Sequence, residues 1–133
     1  MTLNLDNYRN LGFMQGRLSP IIENMIQRFP IDTWKEELII ANKNNWKILE
    51  WTIDYFTFQD NPILKNNFNK LNFNQIKVNS ITADFFMQNP FFLIDDENTY
   101  QKLITDFKKV IYAMIKLEIK YIVLPLVDNA SLI

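Results

Sequence analysis

The chain has 133 residues, of which 48% are hydrophobic, and a formal net charge of −1, values typical of one globular domain and not of a disordered segment. So small a charge gives no electrostatic reason to expect binding to nucleic acid or to an anionic membrane surface. The sequence contains no cysteine, which excludes disulfides and thiolate metal sites, and no histidine, which removes the usual general base and the commonest metal ligand.

The first predicted element is a short strand in "LGFMQGRLSP", residues 11–20. Both glycines of the chain, Gly12 and Gly16, lie in this apolar run, and Arg17 follows directly. A glycine within a strand pattern usually marks a bulge or a close approach of another group to the backbone. We therefore expect a strand that closes with Gln15 and Arg17 and faces a ligand or a crowded interior.

A helix and a second strand are predicted next. The sequence "TWKE" indicates a capping box, with Thr33 as the cap and Glu36 at the third helical position. Apolar residues then recur at helical spacing: Trp34, Leu38 and Ala41. Asn44 and Asn45 are expected to close the helix, because Asn tolerates the left-handed conformation found at helix ends. "KILEWTID", residues 47–54, is β-branched and aromatic and predicts a strand.

The remaining elements follow the same alternation. "DNPILKNNFNKLNFN", residues 60–74, predicts a weak helix, with Asn61 as the cap and Pro62 at its first position. "IKVNSITADFF", residues 76–86, predicts a third strand. After "NPFFLIDDENTY" comes the strongest helical stripe, formed by Leu103, Phe107, Val110, Ile111, Met114 and Leu117. "KYIVLPLVD", residues 120–128, predicts a strand that is covered on both faces.

The order β-α-β-α-β-α-β predicts an α/β fold made of parallel βαβ units, with strand order 1-2-3-4 and three helices on one face. Two strands share a pattern in which alternate residues are polar and end in Asp: Ile48, Glu50, Thr52 and Asp54 in one, and Val78, Ser80, Thr82 and Asp84 in the other. The apolar set between them should pack on the helices, so the polar set should line a cavity near the strand ends.

A candidate site follows from the strand ends. We expect the charged residues that close the four strands to lie at one rim: Arg17, Glu50, Asp54, Asp84 and Asp128. Arginine beside carboxylates suits a polyol or a phosphorylated sugar, because its guanidinium binds oxyanions with two parallel hydrogen bonds. Structural interpretations compete with this one. Asp54 and Asp128 can simply cap the elements that follow them, and Arg17 can pair with Glu50.

Aromatic residues near these strand ends also allow two interpretations. Trp51 is expected in the core. The aromatic run that follows the third strand is expected to serve packing more than substrate binding: Phe85, Phe86, Phe91 and Phe92.

Several short motifs, in register over most of the chain, resemble those of the sugar phosphate isomerase/epimerase family: "GRLSP", "FP...W..E...A", "ILEWTID", "NPIL", "SITADFFMQNPF" and "YIVLPLVDNASL". These proteins are xylose isomerase-like TIM barrels. The resemblance implies that the chain forms strands 1–4 of a (β/α)8 barrel, a single partial domain over residues 1–133. It implies substrate-binding positions at Arg17, Glu50 and Asp84, to which the strand-end position adds Asp128.

The same resemblance implies the chemistry of a complete barrel. Members of the family move a proton between adjacent carbons of a sugar or sugar phosphate, and they hold a divalent metal, Mn²⁺ or Mg²⁺, through residues on strands five to eight. We therefore expect no metal ligand and no cofactor in this chain. Asn45 and Glu118 stand where the family tends to have glycine at helix ends, and a left-handed Glu118 would be strained.

We expect the chain to be the N-terminal fragment of such an enzyme, truncated after strand four and inactive alone. A non-catalytic half-barrel that self-associates through its open sheet face or pairs with a partner chain is one alternative, and a small α/β binding domain is another. No apolar run approaches the length of a membrane span. "MTLNLDNYRN" lacks the pattern of a signal peptide, so a cytoplasmic location is expected.

Overall fold

The computed structural model describes residues 11–25, 28–65 and 71–132. Its sheet has four strands, β1 (Gly12–Met14), β2 (Ile48–Thr52), β3 (Lys77–Thr82) and β4 (Tyr121–Val123). The strands are all parallel and lie in the order β1-β2-β3-β4. The described residues form three α-helices, α1 (Trp34–Lys43), α2 (Phe85–Gln88) and α3 (Glu97–Leu117). The predicted class, α/β with parallel βαβ units, is confirmed, as is the order of the strands.

The core lies between the sheet and the helices. Leu49, Trp51 and Ile53 of the second strand segment are fully buried, as are Ile81 and Ala83 of the third. They belong to one apolar cluster that also includes residues of every helix: Leu38 and Ala41 of α1, Phe85 and Phe86 of α2, and Leu103, Val110 and Met114 of α3. The predicted apolar set therefore packs on the helices, and Trp51 is a core residue.

The prediction of a helix over residues 60–74 is wrong, because no α-helix forms in the described part of this segment. Two 3₁₀ turns, Phe58–Asp60 and Pro62–Leu64, occupy its beginning, residues 71–74 are not helical, and residues 66–70 lie outside the described chain. The buried Asn61 explains the start: its amide donates to the carbonyl of Thr52 (3.0 Å) and accepts from the indole of Trp51 (2.9 Å). These bonds tie the segment to β2 in place of a helix cap.

The predicted third strand ends early, since β3 stops at Thr82. Asp84 has helical angles (φ −62°, ψ −21°), and the four-residue helix α2 begins at Phe85. Phe85 and Phe86 are buried, whereas Phe91 and Phe92 are about 40% exposed. The interpretation of this aromatic run as packing therefore holds for its first two members.

The ends of α1 and α3 test the predictions made for helix capping. Thr33 precedes α1, but its hydroxyl donates to Ser19 Oγ (2.8 Å) and makes no cap bond, so the predicted capping box does not form. The predicted end of α1 is confirmed, with Asn45 left-handed at φ 59°. Glu118 ends α3 in the same conformation, φ 55° and ψ 33°. A glycine normally occupies this position, because a side chain there is strained.

A β-bulge in β3 corrects one predicted face. Leu49 of β2 is paired with Val78, but the next residue, Glu50, is paired with Ser80, so Asn79 is an extra residue. Val78 therefore lies on the core side with Leu49 and belongs to the apolar cluster. The prediction that Val78 shares the polar face with Ser80 was wrong because an alternation counted along one strand ignores a bulge.

The edge strand β4 also differs from its prediction. It spans only Tyr121–Val123 of the nine residues proposed. Apolar side chains in and after it are 40–61% exposed: Tyr121, Val123, Leu124, Leu126 and Val127. In the structure as described, β4 is therefore not covered on both faces. None of the helices in the described ranges is long and apolar enough to cross a membrane.

Candidate functional site

The polar face predicted for β2 and β3 is present. The register places Glu50 opposite Ser80, and Thr52 opposite Thr82. The carboxylate of Glu50 accepts hydrogen bonds from the hydroxyls of Ser80 (2.9 Å) and Thr82 (2.5 Å). Two donors from the neighbouring strand thus fix the orientation of Glu50 on the face opposite the helices.

Asp84, just beyond the end of β3, is the most unusual residue of this face. Its side chain is fully buried, and neither carboxylate oxygen has a hydrogen-bond partner among the described residues. Burial, followed by the negative charges of Asp54 and Glu50, raises the pKa of Asp84 from 3.8 to about 7, and the charge of Arg17 opposes this rise. Buried carboxyl groups are normally hydrogen-bonded, so Asp84 is arranged for something other than packing.

Asp54 lies beside Asp84 but has a structural role. Its carboxylate accepts from the backbone N–H of Phe29 (2.6 Å) and from both the N–H (2.8 Å) and the hydroxyl (3.0 Å) of Thr57. These bonds fix the turn after β2 and hold the segment that precedes α1. The interpretation of Asp54 as a residue that caps the next turn is therefore correct, and its oxygens are already engaged.

Arg17 lies in the loop after β1 and is exposed. One of its guanidinium nitrogens, Nη2, is 3.6 Å from the sulfur of Met14. The charges of Arg17 and Glu50 both act on Asp84, in opposite directions. The alternative in which Arg17 pairs with Glu50 stays a prediction.

Asp128 lies after the edge strand β4, at the same end of the sheet as Asp84. It is exposed, its own φ is 52°, and it begins the 3₁₀ turn Asp128–Ala130, which packs against α2. The part of Asp128 in a substrate site stays a prediction.

A buried carboxylate that sequence reasoning missed, Glu37, shapes the loop after β1. It accepts from the backbone N–H groups of Gly16 (3.0 Å to each oxygen) and Leu18 (2.9 Å). Burial raises the pKa of Glu37, and these hydrogen bonds oppose the rise. A signal was present in the sequence, because Glu37 falls on the same helical face as Trp34, Leu38 and Ala41.

The structure gives a separate reason for glycine at each of the two positions. A Cβ atom at Gly12 would lie 2.8 Å from the carbonyl oxygen of Ile48, so the close approach is that of β2. Gly16 has a φ of 91°, which a side chain would resist, and its N–H points at Glu37. Both glycines thus serve the fit of β1 and its loop to their neighbours.

Gln15 is fully buried between these features. Its side-chain oxygen accepts from the N–H of Thr52 (3.3 Å), and the hydroxyl of Thr52 donates to its backbone carbonyl (3.3 Å). Its amide nitrogen, like the oxygens of Asp84, finds no partner in the part of the chain that is described. Near the strand ends, a buried donor, the amide nitrogen of Gln15, and two buried acceptors, the oxygens of Asp84, thus lack a partner among the described residues.

A divalent metal does not fit these residues. Across the described ranges, no group of three or more acidic side chains is arranged to hold a metal ion. Asp54 and Glu50 direct their oxygens at protein donors instead. The site instead combines the carboxyl of Asp84, whose pKa is raised to about 7, with the carboxylate of Glu50 and the guanidinium of Arg17.

Comparison with known proteins gives no family for this chain: no protein-family model, no curated protein and no solved structure matches it. Function must therefore be inferred from the site.

Proposed function

We propose that the chain is the N-terminal part of a sugar or sugar-phosphate isomerase or epimerase, and that its four strands are the first half of a (β/α) barrel. Asp84 is the observation that carries the proposal. It is a buried carboxyl with both oxygens unpartnered among the described residues and a pKa near neutrality, located where parallel α/β proteins bind their ligands.

The uncovered edge of the sheet supports the barrel. Side chains on the face away from the helices form rows across the strands, as they do in any sheet. Met14, Glu50, Ser80 and Tyr121 make one row, and Thr52, Thr82 and Val123 make the next. The exposed Tyr121 and Val123 are the members of these rows on the edge strand. Further strands beside β4 would cover them.

The chemistry of the cluster suits a polyhydroxylated ligand. Sugar hydroxyls both donate and accept, and the oxygens of Asp84 can do the same, since near pH 7 this carboxyl is divided between its protonated and ionised forms. A group with such a pKa is suited to proton transfer at neutral pH. Arg17 supplies a positive charge that can stabilise an oxygen as negative charge develops on it.

In our proposal, the residues described here do not bind the metal of the resembled family. The acidic residues described here do not form a metal site, and in that family the metal ligands lie on later strands. In our proposal this chain therefore binds and orients the substrate, and Asp84 holds or moves a proton, while a complete barrel would supply the remaining groups.

Ligand binding to the chain tests the proposal. Saturation-transfer NMR with a ketopentose and a ketohexose should detect binding, and Asp84→Asn should weaken it at least about tenfold, the effect of losing one charged hydrogen bond. Asp95→Asn, an exposed carboxylate before α3, is the matched control. If neither sugar binds, or if Asp84→Asn binds as well as the unchanged chain, the proposal fails.

A second candidate is a non-catalytic half-barrel that pairs with another copy or another chain. The exposed apolar side chains in and after β4 favour it: Tyr121, Val123, Leu124, Leu126 and Val127. In that case association should persist when Asp84 is replaced by Asn, and no sugar should bind. The sugar titration separates the two candidates, because self-association through these exposed residues is expected in both.

A further inference from the structure

Described residues of the loop after β1 line an open cavity of about 210 Å³ outside the cluster around Asp84. Residues 16–25 of this loop are fixed at two points. Glu37 holds the N–H groups of Gly16 and Leu18 near the start. Further on, Ile22 and Met25 form a β-bridge closed by a backbone bond of 2.8 Å from Met25 N–H to the Ile22 carbonyl. This part of the cavity wall is therefore held by hydrogen bonds.

The lining of this cavity is basic and apolar. Its two charged residues are Arg17 and Arg28, and none of the described residues that line it is acidic. The rest of the wall is mainly apolar: Pro20, Ile21, Ile22, Met25 and Pro30. Two guanidinium groups beside apolar walls suit an anionic group carried on a short carbon skeleton, because each guanidinium can give an oxyanion two parallel hydrogen bonds.

Arg28 is held in place for this role. Its guanidinium lies 5.1 Å from the ring centre of Phe56, within the range of a cation–π contact. It also donates through Nη1 to Glu23, whose side chain is 69% exposed. The Arg28 side chain is only 18% exposed, but the carboxylate of Glu23 lies at the surface, so an incoming oxyanion can share or replace Glu23 as the partner of Arg28. The four other N–H donors of the guanidinium are not used by that pair.

We propose that this cavity is an oxyanion subsite in which Arg17 and Arg28 bind a phosphate or carboxylate group. The identification of that group as the anionic end of a sugar phosphate rests on the proposed function. Arg17 connects the two regions, since it lines the cavity and its charge also reaches Asp84. A ligand with its anion in the loop would direct its hydroxyls toward the strand ends.

Inorganic phosphate is the probe for this subsite. Phosphate is titrated into the full 133-residue chain at a constant ionic strength, which is maintained with chloride. Calorimetry should show saturable binding, and NMR should show chemical-shift changes at residues 16–19 and at Arg28. Arg17→Gln and Arg28→Gln should each weaken binding at least about tenfold. Lys43→Gln, which removes a charge at the end of α1, should leave it unchanged. Parallel titration with acetate shows whether the site takes the carboxylate as well as the phosphate.

A second readout separates the subsite from general attraction of anions. Phosphate bound to Arg17 would offset the positive charge that favours ionised Asp84, so the pKa of Asp84 should rise when phosphate replaces chloride. Carboxyl ¹³C shifts measure it directly. Arg17 is exposed, so its replacement should leave the fold intact even if Arg28→Gln does not.

The outcomes are distinct from those of the sugar titration. Saturable phosphate binding that depends on both arginines supports the subsite even if no neutral sugar binds, in which case only the proposed function fails. Binding that chloride reproduces, or that survives Arg17→Gln, overturns the subsite, whatever the sugars do.

Discussion

Replacing Asp84 by Asn should stabilise the protein at neutral pH and leave its stability almost unchanged at pH 4. The Asp84 carboxyl is fully buried, has no hydrogen-bond partner among the described residues, and lies near the negative charges of Asp54 and Glu50. Ionising it in the native state is therefore unfavourable. An amide of the same shape removes the charge at every pH.

The magnitude follows from the pKa. It rises from 3.8 to about 7 on folding, so between these pH values the native chain keeps a proton on Asp84 that the unfolded chain has released. The native state then binds more protons, and the free energy of unfolding falls as the pH rises through this window, by about 1.4 kcal/mol per pH unit. The full loss, reached near pH 7, is about 4 kcal/mol.

Urea unfolding followed by tryptophan fluorescence measures this, since Trp34 and Trp51 lie in the core. The free energy of unfolding of Asp84→Asn minus that of the unchanged chain should increase from near zero at pH 4 to about 4 kcal/mol at pH 7.5 and stay constant above it. The difference cancels the titration of other carboxyl groups. Asp95→Asn, which removes an exposed carboxylate before α3, is the matched control. A difference for Asp84→Asn that is flat from pH 4 to 8 would refute the reasoning.

Four further predictions address other parts of the chain. Glu118→Gly should raise the free energy of unfolding by about 1 kcal/mol, because Glu118 is left-handed; Asn45→Gly is the control, and equal gains at both positions would contradict this explanation. Glu37→Gln should lower it by about 1–3 kcal/mol, because the new amide donors would face the N–H groups of the loop; an unchanged urea midpoint would speak against this. The chain alone should bind Mn²⁺ no more tightly than about millimolar and show no turnover of a pentulose or hexulose phosphate; micromolar affinity in calorimetry together with turnover in a coupled assay would overturn this expectation. Light scattering and a hydrophobic dye should report self-association through the exposed residues around β4; a monomer that melts cooperatively and binds no dye would count against it.

The sheet could be predicted from the sequence because its determinants are local. Alternation along residues 47–54 separates Leu49, Trp51 and Ile53 from Glu50, and the first three belong to the apolar core. The connections between strands are long enough for crossovers, which are right-handed in nearly all known cases. Parallel order and a helix-covered face follow from these two facts.

The details that failed depend on contacts distant in the sequence. Asn61 has the pattern of a helix cap, but its amide bonds to β2. The displacement of Val78 to the core side depends on how β3 pairs with β2. The site divides in the same way. The strand-end positions of Glu50 and Asp84 were predictable, and so was the polar face on which Ser80 and Thr82 donate to Glu50. The engagement of Asp54 depends on the backbone N–H groups of Phe29 and Thr57, which the sequence pattern does not reveal.

The bulge at Asn79 has a consequence for how this strand tolerates gained or lost codons. Lys77 and Val78 lie on one side of it, and Ser80, Thr82 and Asp84 follow on the other. A one-residue deletion or insertion between Ser80 and Thr82 would turn the residues after it to the opposite face of the sheet. At Asn79 an extra residue is already accommodated, and its carbonyl accepts from the N–H of Lys120 (3.2 Å). Changes in length are therefore best absorbed there, because the residues after it keep their alternation, with Ile81 and Ala83 toward the core and Ser80 and Thr82 on the polar face.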